Sequence, residues 1–158
     1  MSLNTPSCAS NIDTGMDSYL STYPAGNFTN AFVSAYSTYS KTGVLSSGGG
    51  IQGTEDSSIL TDFFNSFSSY TDETTFATAL ANYWATCLNT PVPPATALVN
   101  NATSKINDFK SAILAAYSTT ETTPHYLSLI QNVEDVAKTI QWTVTLSVPP
   151  FTRIETVS

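Results

Sequence analysis

The chain has 158 residues and a formal net charge of −7, and only 11% of its residues are charged. Because a typical soluble domain carries about 25% charged residues, the surface must be covered mainly by the hydroxyl groups of 21 Ser and 25 Thr. The acidic balance argues against binding to nucleic acid, whose phosphates attract clustered Lys and Arg, and against an anionic membrane surface. With 41% hydrophobic residues, the chain is too apolar for a disordered segment, and its length fits one domain.

Targeting and membrane segments are not evident in the sequence. No apolar run approaches the roughly 20 residues that a membrane helix needs. Residues 1–6 have neither the basic nor the apolar region of a signal peptide. We therefore expect no membrane partner, and a chain that is either used without classical secretion or has already lost its signal.

Apolar residues recur at spacings of three and four in six segments, which predicts amphipathic helices. Five of the predicted helices cover residues 10–23, 28–39, 58–70, 74–88 and 95–117. The sixth begins at Pro124 and is ended by Pro149, and its last residues, 139–148, are rich in β-branched side chains that favour extended chain. The clearest stripe belongs to the fifth helix and consists of Leu98, Ala102, Ile106, Phe109, Ile113 and Tyr117.

The segments between and outside the helices complete the predicted architecture. Residues 42–57 are rich in Gly and Ser and predict a flexible loop, and the three prolines of residues 91–94 predict a rigid extended linker. Residues 1–9 are expected to be an N-terminal arm and residues 149–158 an extended C-terminal arm. The predicted fold is therefore all-α: a single domain over residues 1–158, built as a bundle of five or six helices.

A glycine pattern in residues 48–53, Gly-Gly-Gly-Ile-Gln-Gly, matches the dinucleotide-binding sequence G-x-G-x-x-G, and Asp72 follows about 20 residues later, as that fingerprint requires. The fingerprint also needs a strand before the glycines and a helix that begins on them. Here a predicted helix precedes the pattern, and Glu55 and Asp56 would repel phosphate. We therefore interpret the pattern as a flexible loop.

The single histidine, His125, is the residue on which an enzymatic hypothesis depends. A Ser–His–Asp site could use it, but it follows Pro124 at a helix start, where a solvated surface histidine is the simpler interpretation. The G-x-S-x-G nucleophile motif does not occur in the sequence. Glu121 and His125 could share a metal, but zinc needs three or four ligands.

Adjacent carboxylates give no acid–base pair. Neighbours on a helix point apart, which applies to Glu134-Asp135, and Asp72-Glu73 is better explained as helix capping. Glu55-Asp56 lacks the spaced oxygen ligands of a calcium loop. The sequence therefore predicts no catalytic residue, no cofactor and no metal.

Two further residue types leave alternatives open. Cys8 and Cys87 could pair, but the sequence does not give their separation, and Cys87 lies on an apolar stripe that indicates burial. Asn27 and Asn101 begin glycosylation sequons, which matter only if the chain is secreted by a eukaryote. Asn27 is also expected to be the N-cap of the second helix.

Tyrosines cluster in the first half of the chain beside few charges. Tyrosine is favoured at interfaces because one end of its side chain is apolar and the other is wet. Apolar residues in the C-terminal arm could anchor that arm to a partner. The predicted interface residues are Tyr19, Tyr23, Tyr36, Tyr39, Tyr70, Phe151, Ile154 and Val157.

Residues 76–151 contain the sequence FATALANYW at 76–84, Val-Pro-Pro at 92–94, an Ala-rich helix up to Tyr117, and Val-Pro-Pro at 148–150. This layout resembles small virion-associated proteins of tailed phages and covers about half of the chain. The resemblance implies a structural part of a particle and brings no catalytic residues with it.

Three functional hypotheses follow. The first is a non-enzymatic structural or accessory protein of a virus or phage particle, located in the virion or outside the cell, which contacts other virion proteins or copies of itself. The alternative is a secreted helical protein that binds an apolar small ligand among its Phe and Tyr side chains. The third, ranked last, is an enzyme that uses His125 with a nearby carboxylate or hydroxyl.

Overall fold

The structure is a computed structural model that describes residues 3–22, 26–45, 50–51, 55–66, 73–87, 89–90, 96–117, 125–147 and 150–158. Its helices are α1 (Thr5–Thr22), α2 (Gly26–Ser40), α3 (Ser58–Asn65), α4 (Glu73–Thr86), a 3-10 turn (Ala102–Lys105), α5 (Ile106–Tyr117) and α6 (His125–Ala137). Its strands are β1 (Gly50–Ile51), β2 (Asn89–Thr90), β3 (Thr96–Val99), β4 (Gln141–Ser147) and β5 (Pro150–Thr156).

The described part of the chain is predominantly helical, as the apolar spacing predicts. α1 packs against α2 and α6, α4 packs against α3 and α5, and α5 also contacts α6. None of the described helices combines the length and the apolar character needed to cross a bilayer.

Hydroxyl side chains in these helices bond to the helices' own backbone. Thr14 donates to the carbonyl oxygen of Ser10 at 2.9 Å, and Thr78 donates to that of Thr74 at 2.7 Å. Ser111 makes the same bond to Asn107 at 3.0 Å. Such bonds satisfy a hydroxyl without a partner from elsewhere, so a chain rich in Ser and Thr can still form regular helices.

A three-stranded antiparallel sheet in the order β3-β4-β5 departs from the all-α prediction. Residues 96–99 were predicted to be helical but pair with β4, from Thr96↔Thr145 to Val99↔Trp142. Residues 141–147 form a strand because Trp142 and Val144 are buried while Gln141 and Thr145 are exposed, an alternation with the period of a strand. Their β-branched neighbours favour the same extended backbone.

The C-terminal segment is extended, as predicted, but it is not a free arm. β5 pairs with β4 over its whole length, from Ser147↔Pro150 to Gln141↔Thr156. Beyond β5, Val157 forms an isolated bridge with Leu45. These contacts make residues 150–158 the edge of the sheet.

The expected N-terminal arm and Gly-rich loop also contribute to this edge. Ser158 accepts hydrogen bonds from the backbone of Leu3 at 3.2 Å and Val44 at 3.4 Å, and its own N–H donates to Val44 at 3.1 Å. The prediction of an N-terminal arm over residues 1–9 is wrong for residues 5–9, because α1 begins at Thr5 and its buried side chains pack into the fold, while Leu3 before it is buried as well. We call this three-segment contact of Leu3, Val44-Leu45 and Val157-Ser158 the terminal clasp.

The core is dominated by aromatic side chains in direct contact. Trp84 and Trp142 are fully buried and meet edge to face with ring centroids 6.3 Å apart. A second group packs between α2, α3 and α4, where Phe63 stacks on Phe76 at 4.9 Å and Phe32 lies 4.7 Å from Phe64. The inner face of the sheet therefore closes over the same core that the helices build.

Candidate functional site

A buried cluster of hydroxyl groups lies where the second half of α2 meets α4. Ser40 Oγ lies 2.6 Å from the Tyr83 hydroxyl, and Trp84 Nε1 donates to the Tyr36 hydroxyl at 3.0 Å. Tyr36 and Ser40 are four residues apart, so they project from the same face of α2. The adjacent residues Tyr83 and Trp84 on α4 therefore each find a polar partner on that face.

A carboxylate closes one side of this cluster. Glu55 Oε1 accepts a hydrogen bond from Ser37 Oγ at 2.8 Å and forms an ion pair with Lys41 Nζ at 2.7 Å. The Glu55 side chain is only 4% exposed. Burial alone would raise the pKa of Glu55, but the hydrogen bonds from Lys41 and Ser37 outweigh it and lower that pKa.

A second carboxylate joins α1 to α6. Thr5 Oγ1 donates a hydrogen bond to Glu134 Oε2, and Lys138, the first residue after α6, forms an ion pair with Glu134. Thr5 is buried although it is polar. The first residue of α1 is thus fixed to the last turns of α6 by a charged acceptor.

The protonation states of these groups limit what they can do chemically. Burial raises the pKa of Tyr36 far above its ordinary value, and it has the same effect on Tyr39 and Tyr83. Burial also raises the pKa of Cys8 to about 12 and raises that of Cys87. A general base or nucleophile works best with a pKa near the working pH, so these phenols and thiols are neutral groups that hold helices together.

Among the described ranges, no cluster of three or more His, Cys, Asp or Glu side chains is close enough to hold an ion. His125 begins α6, but its side chain and residues 118–124, including Glu121, lie outside the described part. The expectation that Glu121 and His125 do not hold a metal therefore stays a prediction.

The predicted interface residues are divided between the core and the surface. Tyr36 and Tyr39 are buried and contact each other with ring centroids 5.4 Å apart, so they are not available to a partner that docks on this fold. Val157 is also buried, in the terminal clasp, while Ile154 is 62% exposed. Tyr23 and Tyr70 lie outside the described residues, as do the side chains of Tyr19 in α1 and Phe151 in β5.

The remaining sequence motifs either contribute to the fold or lie partly outside the described residues. Gly50 and Ile51 form β1, which pairs with β2, and the other four residues of the glycine pattern are not described. Asn27 lies inside α2 rather than at its cap, because the helix begins at Gly26. Asn101 Oδ1 accepts the backbone N–H of Gln141 at 2.9 Å, which fixes the 3-10 turn to β4.

The exposed side of the sheet is the surface that sequence reasoning missed. Its described positions on β4 and β5 are uncharged, and all are exposed except the half-buried Thr143. They are Gln141, Thr143, Thr145, Thr152, Ile154 and Thr156, and we call them the outer sheet face. In the register, Ile154 lies opposite Thr143, which also exchanges hydrogen bonds with the Asn100 amide at 2.6 and 2.8 Å. The alternations Thr-x-Thr at 143–145 and Thr-x-Ile-x-Thr at 152–156 are the signal that could have revealed this surface.

Charge is distributed so that this face stays neutral while other surfaces are acidic. Four of the five basic residues form ion pairs within the chain: Lys41 with Glu55, Lys105 with Asp108, Lys138 with Glu134 and Arg153 with Glu155. The fifth, Lys110, donates to Thr74 Oγ1 at 2.7 Å. Exposed carboxylates such as those of Asp56, Asp62 and Asp135 remain on the surface.

Comparisons with known proteins add no relative: no protein-family model, curated protein or solved structure matches the chain.

Proposed function

We propose that this chain is a non-enzymatic structural or accessory protein of a virus or phage particle, and that it acts through protein–protein contacts. The observation that carries the proposal is the outer sheet face, an uncharged and exposed surface centred on Ile154 in a chain of net charge −7. Depletion of charged residues is the compositional signal of the buried centre of a protein–protein interface, so an uncharged exposed surface suits contact with another protein. Partners are other virion proteins or copies of the same chain, and the location is the virion or the extracellular medium.

The interior supports this proposal because its polar groups stabilise the fold. The hydroxyls of Tyr36, Ser40 and Tyr83 are buried in hydrogen bonds, and burial keeps the phenols protonated. The pairwise packing of α1, α2, α4, α5 and α6 is consistent with a helix bundle that serves as a rigid body. Such a body presents a fixed surface without needing to bind a small molecule.

The alternative, a secreted carrier of an apolar ligand, fits the core less well. Its Phe side chains would have to leave space for a ligand, yet Phe32, Phe63, Phe64 and Phe76 contact one another with ring centroids 4.7 to 6.0 Å apart. Rings at such separations pack directly against one another, so they occupy the space between the helices that a ligand would need. The particle role is therefore the better supported proposal.

Mass spectrometry of density-gradient-purified particles, combined with negative-stain microscopy, tests this proposal. The chain should sediment with particles in a constant ratio to their major coat protein. Its absence from every particle fraction, in cells that produce both the chain and particles, would overturn the proposal.

A further inference from the structure

We infer that this chain forms dimers by exchanging β5, so that β5 of each copy pairs with β4 of the other copy. The exchanged segment is β5 together with Val157 and Ser158, and residues 148–149 connect it to β4. This exchange does not depend on the particle role, because it follows from the connection between the two strands and from the contacts that β5 makes.

The connection between β4 and β5 has a sequence that disfavours a tight turn. In the register, Ser147 lies opposite Pro150, so only Val148 and Pro149 join the two strands. A two-residue connection favours a type I′ turn, which needs positive φ at both central residues, or a type II′ turn, which needs it at the first. Pro149 is restricted to φ of about −65°, and a β-branched residue such as Val148 rarely adopts a positive φ.

The proline at position 150 removes the hydrogen bond that normally closes such a turn. In a hairpin of this length the N–H of residue 150 would donate to the carbonyl oxygen of residue 147, and proline has no N–H. The sequence Val-Pro-Pro at 148–150 favours extended backbone instead. Short connections that disfavour their turn promote strand exchange, because an extended connection directs the strand towards a second molecule.

The contacts of β5 select a second copy as the partner. β5 pairs with β4 over its whole length, buried Val157 bridges Leu45, and Ser158 exchanges backbone hydrogen bonds with Val44. A second copy offers the same β4, the same Leu3 and the same Val44-Leu45, so each of these contacts can form again between copies. The complementarity that closes the monomer is therefore the complementarity of the dimer.

Charge also allows β5 to move as a unit. Arg153 forms an ion pair with Glu155, two residues further along the same strand, and the Glu155 side chain is only 3% exposed. Separating a buried charge from its partner is strongly destabilising. Because both members of this pair belong to β5, the pair moves with the strand and is buried again in the second copy.

Refolding the full chain from urea at low and at high protein concentration tests the inference. A paired variant, Thr145→Cys with Thr152→Cys, reports which copy supplies β5, because residues 145 and 152 lie opposite each other on β4 and β5. Opposed residues of antiparallel strands have Cα atoms about 4.5–5.5 Å apart, a separation that a disulfide can span. The matched control is Thr96→Cys with Thr145→Cys, which joins β3 to β4, two strands that stay in one copy.

We expect the dimer fraction after refolding to rise several-fold from the low to the high concentration. In isolated dimers of the paired variant, oxidation should link two chains, whereas the control pair should be linked within each chain, as non-reducing gel electrophoresis of denatured protein measures. The native thiols of Cys8 and Cys87 are buried and give little background.

Dimers of another kind would give a different result. Association through the exposed side chains of Ile154 on β5 or Leu114 on α5, at 62% and 44% exposure, leaves β5 in its own copy. Both cysteine pairs would then be linked within single chains, which would overturn the inference. Refolding to monomer alone at every concentration would overturn it as well.

A variant of the connection tests its role in the exchange. Val148→Asn with Pro149→Gly supplies the Asn-Gly sequence that a type I′ turn prefers, and Pro150→Thr restores the missing N–H. This triple variant should lower the dimer fraction several-fold under the same refolding conditions, and an unchanged dimer fraction would overturn the inference. Neither readout involves particles, so the proposed function stands or fails separately.

Discussion

The hydroxyl groups of Ser40 on α2 and Tyr83 on α4 lie 2.6 Å apart, and both residues are fully buried. Ser40 Oγ also donates to the Ser37 carbonyl at 3.0 Å, so the Tyr83 hydroxyl can donate to Ser40. A charge-poor chain thus uses hydroxyl pairs between helices where other proteins use ion pairs or purely apolar contacts. Its unusual composition has a structural purpose inside the molecule as well as on its surface.

Removing the Tyr83 hydroxyl should destabilise the fold. Tyr83→Phe removes one buried hydrogen bond and should lower the free energy of unfolding by about 0.5–1.5 kcal/mol. The matched control is Tyr39→Phe, because the Tyr39 hydroxyl is buried near the Thr5 hydroxyl but has no partner with full hydrogen-bonding geometry among the described residues. Urea denaturation followed by circular dichroism measures both, and an equal loss in the two variants would contradict the role given to the Ser40–Tyr83 pair.

Glu55 should make the stability of the protein depend on acid pH. Its folded pKa is lowered, so its carboxylate stabilises the fold above the unfolded pKa of about 4.3, and this contribution is lost as the pH falls through the folded pKa. Glu55→Gln should therefore cost about 1–2 kcal/mol at pH 7, and the difference from wild type should shrink below about pH 4.

The control for Glu55 is Asp108→Asn. Asp108 pairs with Lys105 at 3.3 Å but its side chain is 57% exposed, so its loss should change the free energy of unfolding by less than about 0.5 kcal/mol. Urea denaturation at several pH values measures how much each carboxylate contributes to the free energy of unfolding. If the free energy of unfolding differed between wild type and Glu55→Gln by the same amount at pH 3.5 and at pH 7, the charge of Glu55 would not stabilise the fold.

Gly43 is required by a close approach in the terminal clasp. A Cβ at this position would overlap the side chain of buried Val157 and would lie 3.3 Å from Leu3 Cδ2. Gly43→Ala should therefore destabilise the protein by about 1–3 kcal/mol, as other overpacked sites do. Thermal unfolding of the two single variants and the double variant checks this. Because Val157→Ala removes the methyl groups that the new Cβ would overlap, Val157→Ala should lower the stability less in the Gly43→Ala protein than in wild type. Simple additivity of the two costs would contradict the predicted overlap.

Both cysteines should be unreactive in the folded protein. Cys8 and Cys87 are buried free thiols, and burial raises the pKa of Cys8 to about 12 and raises the pKa of Cys87. Because the thiolate is the reactive form, Ellman's reagent at pH 8 should detect neither thiol until denaturant is added. Rapid reaction of either thiol without denaturant would show that this part of the core opens.

The helices could be predicted from the sequence because their apolar spacing is regular, whereas the sheet could not. Leu98 and Ala102 are four residues apart, and four is a step that suits both a helical stripe and one face of a strand. The helical interpretation therefore extended through β3, although the prolines before it favour extended chain. Ile140 and Val144 created the same ambiguity at β4.

The candidate sites were less predictable because they depend on pairs distant in sequence. Ser40 and Tyr83 are 43 residues apart and Thr5 and Glu134 are 129 residues apart, so no local pattern indicates either pair. Ile154 was predicted as an interface residue from its position in an expected arm, and the structure places it on an exposed sheet surface instead. Tyr36 and Tyr39 were predicted for the same interface, but they are buried and fill the core.

The occupancy of particles by a chain altered on the outer sheet face tests the proposed particle role. Quantitative mass spectrometry would compare gradient-purified particles from cells that produce wild type, Ile154→Glu or Leu114→Glu at equal levels, each checked for folding by circular dichroism. We predict that wild type and Leu114→Glu keep a constant ratio to the major coat protein, and that Ile154→Glu is depleted by about fivefold or more, the effect of roughly 1 kcal/mol of lost contact energy. Equal occupancy by all three chains, or absence of the chain from the particles, would contradict the account.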